Sequence, residues 1–151
     1  MIEIIRTDST NDNFRILISK LDKELFNRYG QIQNSYKNLN IIETTATVII
    51  VKVDNKPVGC GCYKKYNEDT VEIKRMYIDT NFRGQGLSKI ILRELENLAK
   101  ESGYKNTILE TGNKQPEAIG LYKKSGYKLI DNYGQYEGIE TSICMTKQIT
   151  Y

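Results

Sequence analysis

The chain has 151 residues, 39% of them hydrophobic and 27% charged, with a formal net charge of +3. That length suits one domain over residues 1–151, and so small a charge, with basic and acidic residues interspersed, gives no footing for a nucleic-acid partner. Histidine is absent, which excludes Ser-His-Asp triads, Cys-His nucleophile pairs and His-based metal sites, and leaves acid–base work to Glu, Asp, Tyr, Lys, Cys or water.

The N-terminus, MIEIIRTDST, lacks the basic segment and apolar run of a signal peptide. No apolar stretch approaches the roughly 20 residues of a membrane span. The expectation is a cytoplasmic protein with no membrane partner. Residues 2–6 read as a first strand. Phe14, Leu17, Ile18, Leu21 and Leu25 fall on one helical stripe, with Asn11 or Asp12 as its cap and Gly30 at its end. Residues 31–36 read as a second short helix. Residues 47–53, 58–66 and 70–78 are three strands joined by short turns, hence antiparallel hairpins. Cys60 and Cys62 alternate with Gly59 and Gly61, as small buried residues on one face of a strand. Leu87, Ile90, Ile91, Leu95 and Leu98 form the next helical stripe. A strand over 107–110, a helix over 117–125 and strands over 127–130 and 142–148 complete the order βααβββαβαββ. The fold class is α/β (α+β), with a central mixed, mostly antiparallel sheet flanked by helices. Its parallel part is the strand–helix–strand unit of residues 70–110.

The stretch RGQGLSK, residues 83–89, lies where a strand becomes a helix. Backbone N–H groups at a helix start lack partners and carry the positive end of the helix dipole, a setting that suits phosphate. Gly84 and Gly86 allow close approach and positive φ, and Arg83 and Lys89 add charge. A Walker-type loop is missing its Gly-Lys-Ser/Thr ending, and a dinucleotide fingerprint is missing its third glycine and its early βαβ unit. An acyl-CoA pyrophosphate loop and a plain helix start stay open.

With its surroundings, the loop resembles motif A of the GNAT N-acetyltransferase superfamily, Arg/Gln-x-x-Gly-x-Gly/Ala. Here it is Arg83-Gly84-Gln85-Gly86-Leu87-Ser88, with Ser at the last position. NKQPEAIGLYKKSGY, residues 113–127, resembles the family's Asn-x-x-Ala-x-x-Leu-Tyr-x-x-x-Gly-Phe segment through Asn113, Ala118, Leu121, Tyr122, Gly126 and Tyr127. The Asn-to-Ala interval is longer than the short form. The strand order also agrees, so the resemblance spans residues 2–148. Within it, PVGCG, EIKRMYI, RGQG, LETG and NYGQY resemble one bacterial GNAT subgroup.

The resemblance implies acetyl transfer from acetyl-CoA, without a metal, to a primary amine of a small molecule, amino acid or peptide by direct attack in a ternary complex. A GNAT fold that binds acyl-CoA without catalysis is the alternative, and a homodimer is compatible with either. The implied cofactor residues are Met76, Tyr77 and Ile78, whose main chain pairs with pantetheine, then Arg83, Gly84, Gln85, Gly86, Leu87, Ser88 and Lys89 around the pyrophosphate, with Asn113. Tyr122 is implied as the acid toward sulfur; packing against Leu121 or Tyr127 is its plainer role. Glu72 is a candidate base, or else a solvent-facing neighbour of Lys74. Glu110 rivals it, as base or as partner of the substrate ammonium. Tyr133, Tyr136 and Glu137 lie in a loop between the last strands and are substrate-binding candidates, since aromatic rings and a carboxylate suit a cationic amine.

Overall fold

Strand boundaries follow the apolar, β-branched runs between turns, and helix boundaries follow the apolar stripes. The computed structural model describes residues 1–29 and 46–150, so the helix expected over 31–36 and the Gly30 cap lie outside the described residues. Strand β1 is Ile2–Asp8 and helix α1 is Asp12–Tyr29. The cap of α1 is Asn11, whose Oδ1 accepts the Phe14 N–H at 3.1 Å. Strands β2 (Thr47–Val53), β3 (Lys56–Lys65) and β4 (Thr70–Ile78) follow. Asp54 and Asn55 turn β2 into β3 with φ of 50° and 67°, the pair of positive values a tight hairpin needs. Helix α2 is Leu87–Glu101, β5 is Asn106–Gly112, α3 is Pro116–Lys124, β6 is Lys128–Ile130 and β7 is Ser142–Gln148.

The strands form one sheet in the order β1-β2-β3-β4-β5-β7-β6, parallel only between β4 and β5. The expected mixed, mostly antiparallel sheet with flanking helices is therefore present. Each face carries its own core. Val48, Ile50, Cys60, Cys62 and Tyr77 pack with Phe14, Leu17, Leu21 and Leu25 of α1. Ile49, Val51, Ile73, Leu109 and Met145 pack with Ile91, Leu92 and Leu95 of α2. The alternation of Cys60 and Cys62 with Gly59 and Gly61 has its reason here. The thiols are buried and free, and burial pushes Cys62 up to about 12. On the other face, a Cβ at Gly61 would run into Met76, Ile91 and Leu95, so the glycine lets α2 approach the sheet.

Two irregularities position the site. Between Cys60 and Cys62 the β3–β4 register slips, and Arg75 in the slipped stretch has φ 58°, a β-bulge that re-aims the rest of β4. Strand β4 pairs with β5 only through residues 70–73 opposite 106–109. Beyond that the strands part, and residues 74–78 pair with β3 alone.

Candidate active site

The wedge between the parted strands opens into a cavity of about 690 Å³. Residues 73–78 of β4 form one wall, and Glu110, Thr111 and Gly112 of β5 face them across it. Leu21, Glu24, Leu25 and Tyr29 of α1 close one side; Ala118, Gly120, Leu121 and Tyr122 of α3 line another. The floor at the start of α2 comes from Arg83, Gly84, Gly86, Leu87, Ser88 and Lys89.

That floor has the features its sequence predicts. Gly84 and Gly86 have φ of 80° and 79°, and a Cβ on either would meet nothing within 4 Å. Their glycine character is therefore a backbone requirement facing open space, not a packing one. Gly86 is the N-cap of α2, and the first amide of the turn to bond is Ile90, whose N–H donates to Gly86 O at 3.2 Å. Among the described residues, the N–H groups of 84–89 have no hydrogen-bond acceptor. Lys89 and Lys124 add positive charge to the cavity lining. Arg83 instead points along β4. Its Nε donates to Ile78 O at 2.8 Å and its Nη2 to Glu24 Oε1 at 2.6 Å.

Tyr122 and Glu110 meet in the cavity lining. Tyr122 is 6% exposed, its ring stands edge-on to Tyr127 with centroids 5.6 Å apart, and its hydroxyl makes no hydrogen bond among the described residues. Burial, then the nearby Glu110 charge, pushes its hydroxyl well above the ordinary phenol range. Burial also raises Glu110 to about 7; the Ser142 hydroxyl, donating to Glu110 Oε2 at 2.6 Å, and the Lys74 charge hold it from going higher. A carboxyl there divides its time between acid and base forms near neutral pH, as a proton-moving group should.

Glu72 lies elsewhere. It alternates on β4 with Val71 and Ile73 of the α2-side core and is buried, which rules out a solvent-facing role. Its Oε2 accepts the Tyr133 hydroxyl at 2.8 Å, and its Oε1 is 3.8 Å from Lys74 Nζ. Lys74, which does line the cavity, donates to Tyr136 Oη at 3.4 Å, and burial lowers its pKa. Tyr133 and Tyr136 thus bind Glu72 and Lys74 from the loop before β7, and neither lines the cavity. Glu137 is exposed on that loop, and Asn113 and Gln85 are exposed and outside the cavity lining. Gln115, two residues after Asn113, does line it. Of the sequence candidates, the structure brings together Tyr122, Glu110, Met76, Tyr77, Ile78 and the loop 83–89 except Gln85. Lys74 escapes sequence reasoning because a charged strand residue beside Glu72 reads as solvent-facing, whereas it is buried; Glu24 and Ser142 carry no local signal.

The acetyltransferase (GNAT) family model matches residues 11–127. The IAA acetyltransferase of Azospirillum brasilense is 27% identical over 150 residues, 98% of each chain. A Klebsiella pneumoniae structure assigned to the acyl-CoA N-acyltransferases superposes with a TM-score of 0.82 at 29% identity, covering 99% of this chain and 98% of that one. A GNAT family acetyltransferase of Elizabethkingia anophelis, solved with acetyl-CoA bound, has a TM-score of 0.70 at 21% identity and covers 97% of both chains.

Proposed function

The chain belongs to the acetyltransferase (GNAT) family, and from that premise we propose that it carries acetyl from acetyl-CoA to a primary amine, which attacks the thioester directly in a ternary complex. As a member of that family it is an acetyl-CoA-dependent acyltransferase. One observation carries the finer reading: the open amides of 84–89 and the strandless edge of residues 74–78 give onto the same cavity, which also holds Glu110 and Tyr122. A diphosphate suits the amides at the helix start, and an extended, amide-bearing chain suits a strand edge. Acetyl-CoA joins those two parts to a reactive thioester.

The protein's own groups then have three tasks. The loop amides, with Lys89 and Lys124, hold the diphosphate. Glu110 takes a proton from the acceptor ammonium, directly or through water, and the neutral amine so formed attacks. Tyr122 donates toward the departing sulfur. Its raised pKa keeps the phenol protonated, so it serves as a hydrogen-bond donor and a reluctant acid. Tyr133 and Tyr136 shape the acceptor side through Glu72 and Lys74.

The test is thiol release from acetyl-CoA against a broad panel of primary amines, beside thermal shifts with acetyl-CoA, ATP and NAD. We expect a shift with acetyl-CoA and turnover on at least one amine. Tight binding with no turnover would make the protein an acyl-CoA-binding module, and a shift with ATP or NAD alone would sink the proposal.

A further inference from the structure

The contact that singles itself out beyond the expected site residues crosses the sheet from β7. Ser142 faces Gly112 in the β5–β7 register, one pair beyond the Thr111–Ile143 pair and two beyond Glu110–Cys144. From there its buried hydroxyl reaches back to Glu110 Oε2 at 2.6 Å, the length of a charge-assisted bond. We infer that Ser142 is a positioning residue: it fixes the Glu110 carboxylate toward the cavity and sets the pH above which that group accepts a proton. This rests on Glu110 acting as the base.

The physical argument is one of sign. A hydroxyl that donates to a carboxylate favours the ionised form. Among the described residues, no other group donates a hydrogen bond to the Glu110 side chain. Glu72 of β4 repels it and Lys74 of β4 attracts it. Tyr122 of α3, Tyr136 of the turn before β7 and Cys144 of β7 stand in its field as neutral groups whose own ionisation it opposes. Ser142 is the neighbour that both stabilises the carboxylate and anchors one of its oxygens, leaving the other for the acceptor. Without it, the desolvated carboxyl should hold its proton to higher pH and lose its fixed aim.

The experiment follows the Glu110 carboxyl carbon by NMR in protein labelled at the glutamate side-chain carboxyl, the resonance being assigned by its loss in Glu110→Gln. Ser142→Ala should raise the titration midpoint by about one pH unit, and Ser142→Thr, which keeps the hydroxyl on a strand-compatible side chain, should return it close to the parent. The acidic limb of kcat/KM, measured with the best amine of the panel, should move with it. An unmoved midpoint in Ser142→Ala, or a moved midpoint with an unmoved limb, overturns the inference. If Ser142→Ala does not fold, Ser142→Cys, near in size and a weak donor, takes its place. Persistence of the acidic limb in Glu110→Gln would instead defeat the base assignment, independently of the titration.

Discussion

The Tyr29 hydroxyl occupies the space that a Cβ on Gly112 would need. It also accepts the Lys114 N–H at 3.0 Å, so the last turn of α1 is pinned to the end of β5 across one side of the cavity. Gly112→Ala should displace that turn and cost about 1–3 kcal/mol, as overpacking does. Tyr29→Phe keeps the ring and loses the hydroxyl's bond to Lys114, for at least about 1 kcal/mol. Urea unfolding of the two variants checks both the size and the order of the effects.

Gly86 offers the complementary case. A Cβ there meets no protein atom, yet φ is 79°. Gly86→Val should therefore cost about 1–3 kcal/mol in backbone strain, leave the fold intact, and abolish acetyl-CoA binding by filling the space before the loop amides. Calorimetric titration beside a circular dichroism melt separates the two effects. Retained binding would remove the loop from the cofactor site.

Arg83 is shared between Glu24 and the Ile78 carbonyl. Both charged side chains are partly exposed, so breaking their pair should change stability by no more than about 1 kcal/mol. Glu24→Ala frees the guanidinium for an anionic ligand. We expect acetyl-CoA to bind severalfold more tightly, with a steeper salt dependence, and Arg83→Ala to weaken it. Titrations at two ionic strengths measure this.

Tyr122→Phe keeps the edge-on packing against Tyr127 and gives up a hydroxyl that bonds nothing among the described residues. Stability should change by less than about 0.5 kcal/mol. Turnover should fall by about 10²–10⁴-fold, the range of lost acid–base assistance, with acetyl-CoA affinity unchanged. Unchanged turnover would remove Tyr122 from the donor role.

Glu110 ties function to stability. Its carboxyl goes from an ordinary 4.5 when unfolded to about 7 when folded. The folded state therefore binds the proton more tightly, and stability falls as pH rises from 4.5 through 7. Glu110→Gln, whose amide oxygen can still accept from Ser142, should be near-neutral for stability at pH 4.5. It should be stabilising by up to about 3 kcal/mol at pH 9, while turnover is lost. Melting temperatures across that pH range test the sign.

Much of this was legible in the chain because it is local. Their β-branched content and the turns around them placed residues 47–53 and 70–78 on strands, and both bounds agree with β2 and β4. The glycines of 83–89 announced a helix start with open amides. What stayed hidden depends on where distant strands land. That Glu72 is buried, and that Tyr133 and Tyr136 turn inward to it and to Lys74, follows from how the loop before β7 folds over the sheet. Ser142 meets Glu110 from 32 residues away, through a register that neither segment encodes alone. Asn113 matches the family segment, yet the longer interval before Ala118 leaves it exposed and puts Gln115 at the cavity. The first strand runs to Asp8, past the expected Arg6, because β2 continues beside it to Thr47.

The gap between β4 and β5 begins after four paired residues. A ligand seated there is recognised through peptide groups, which every amino acid supplies. Exchanges at Met76 or Ile78 that preserve the strand therefore leave that recognition standing. On the proposed function, side-chain identity counts on the acceptor side instead, so descendants of this chain would take a different amine by altering a few loop residues while the acyl donor's berth is kept.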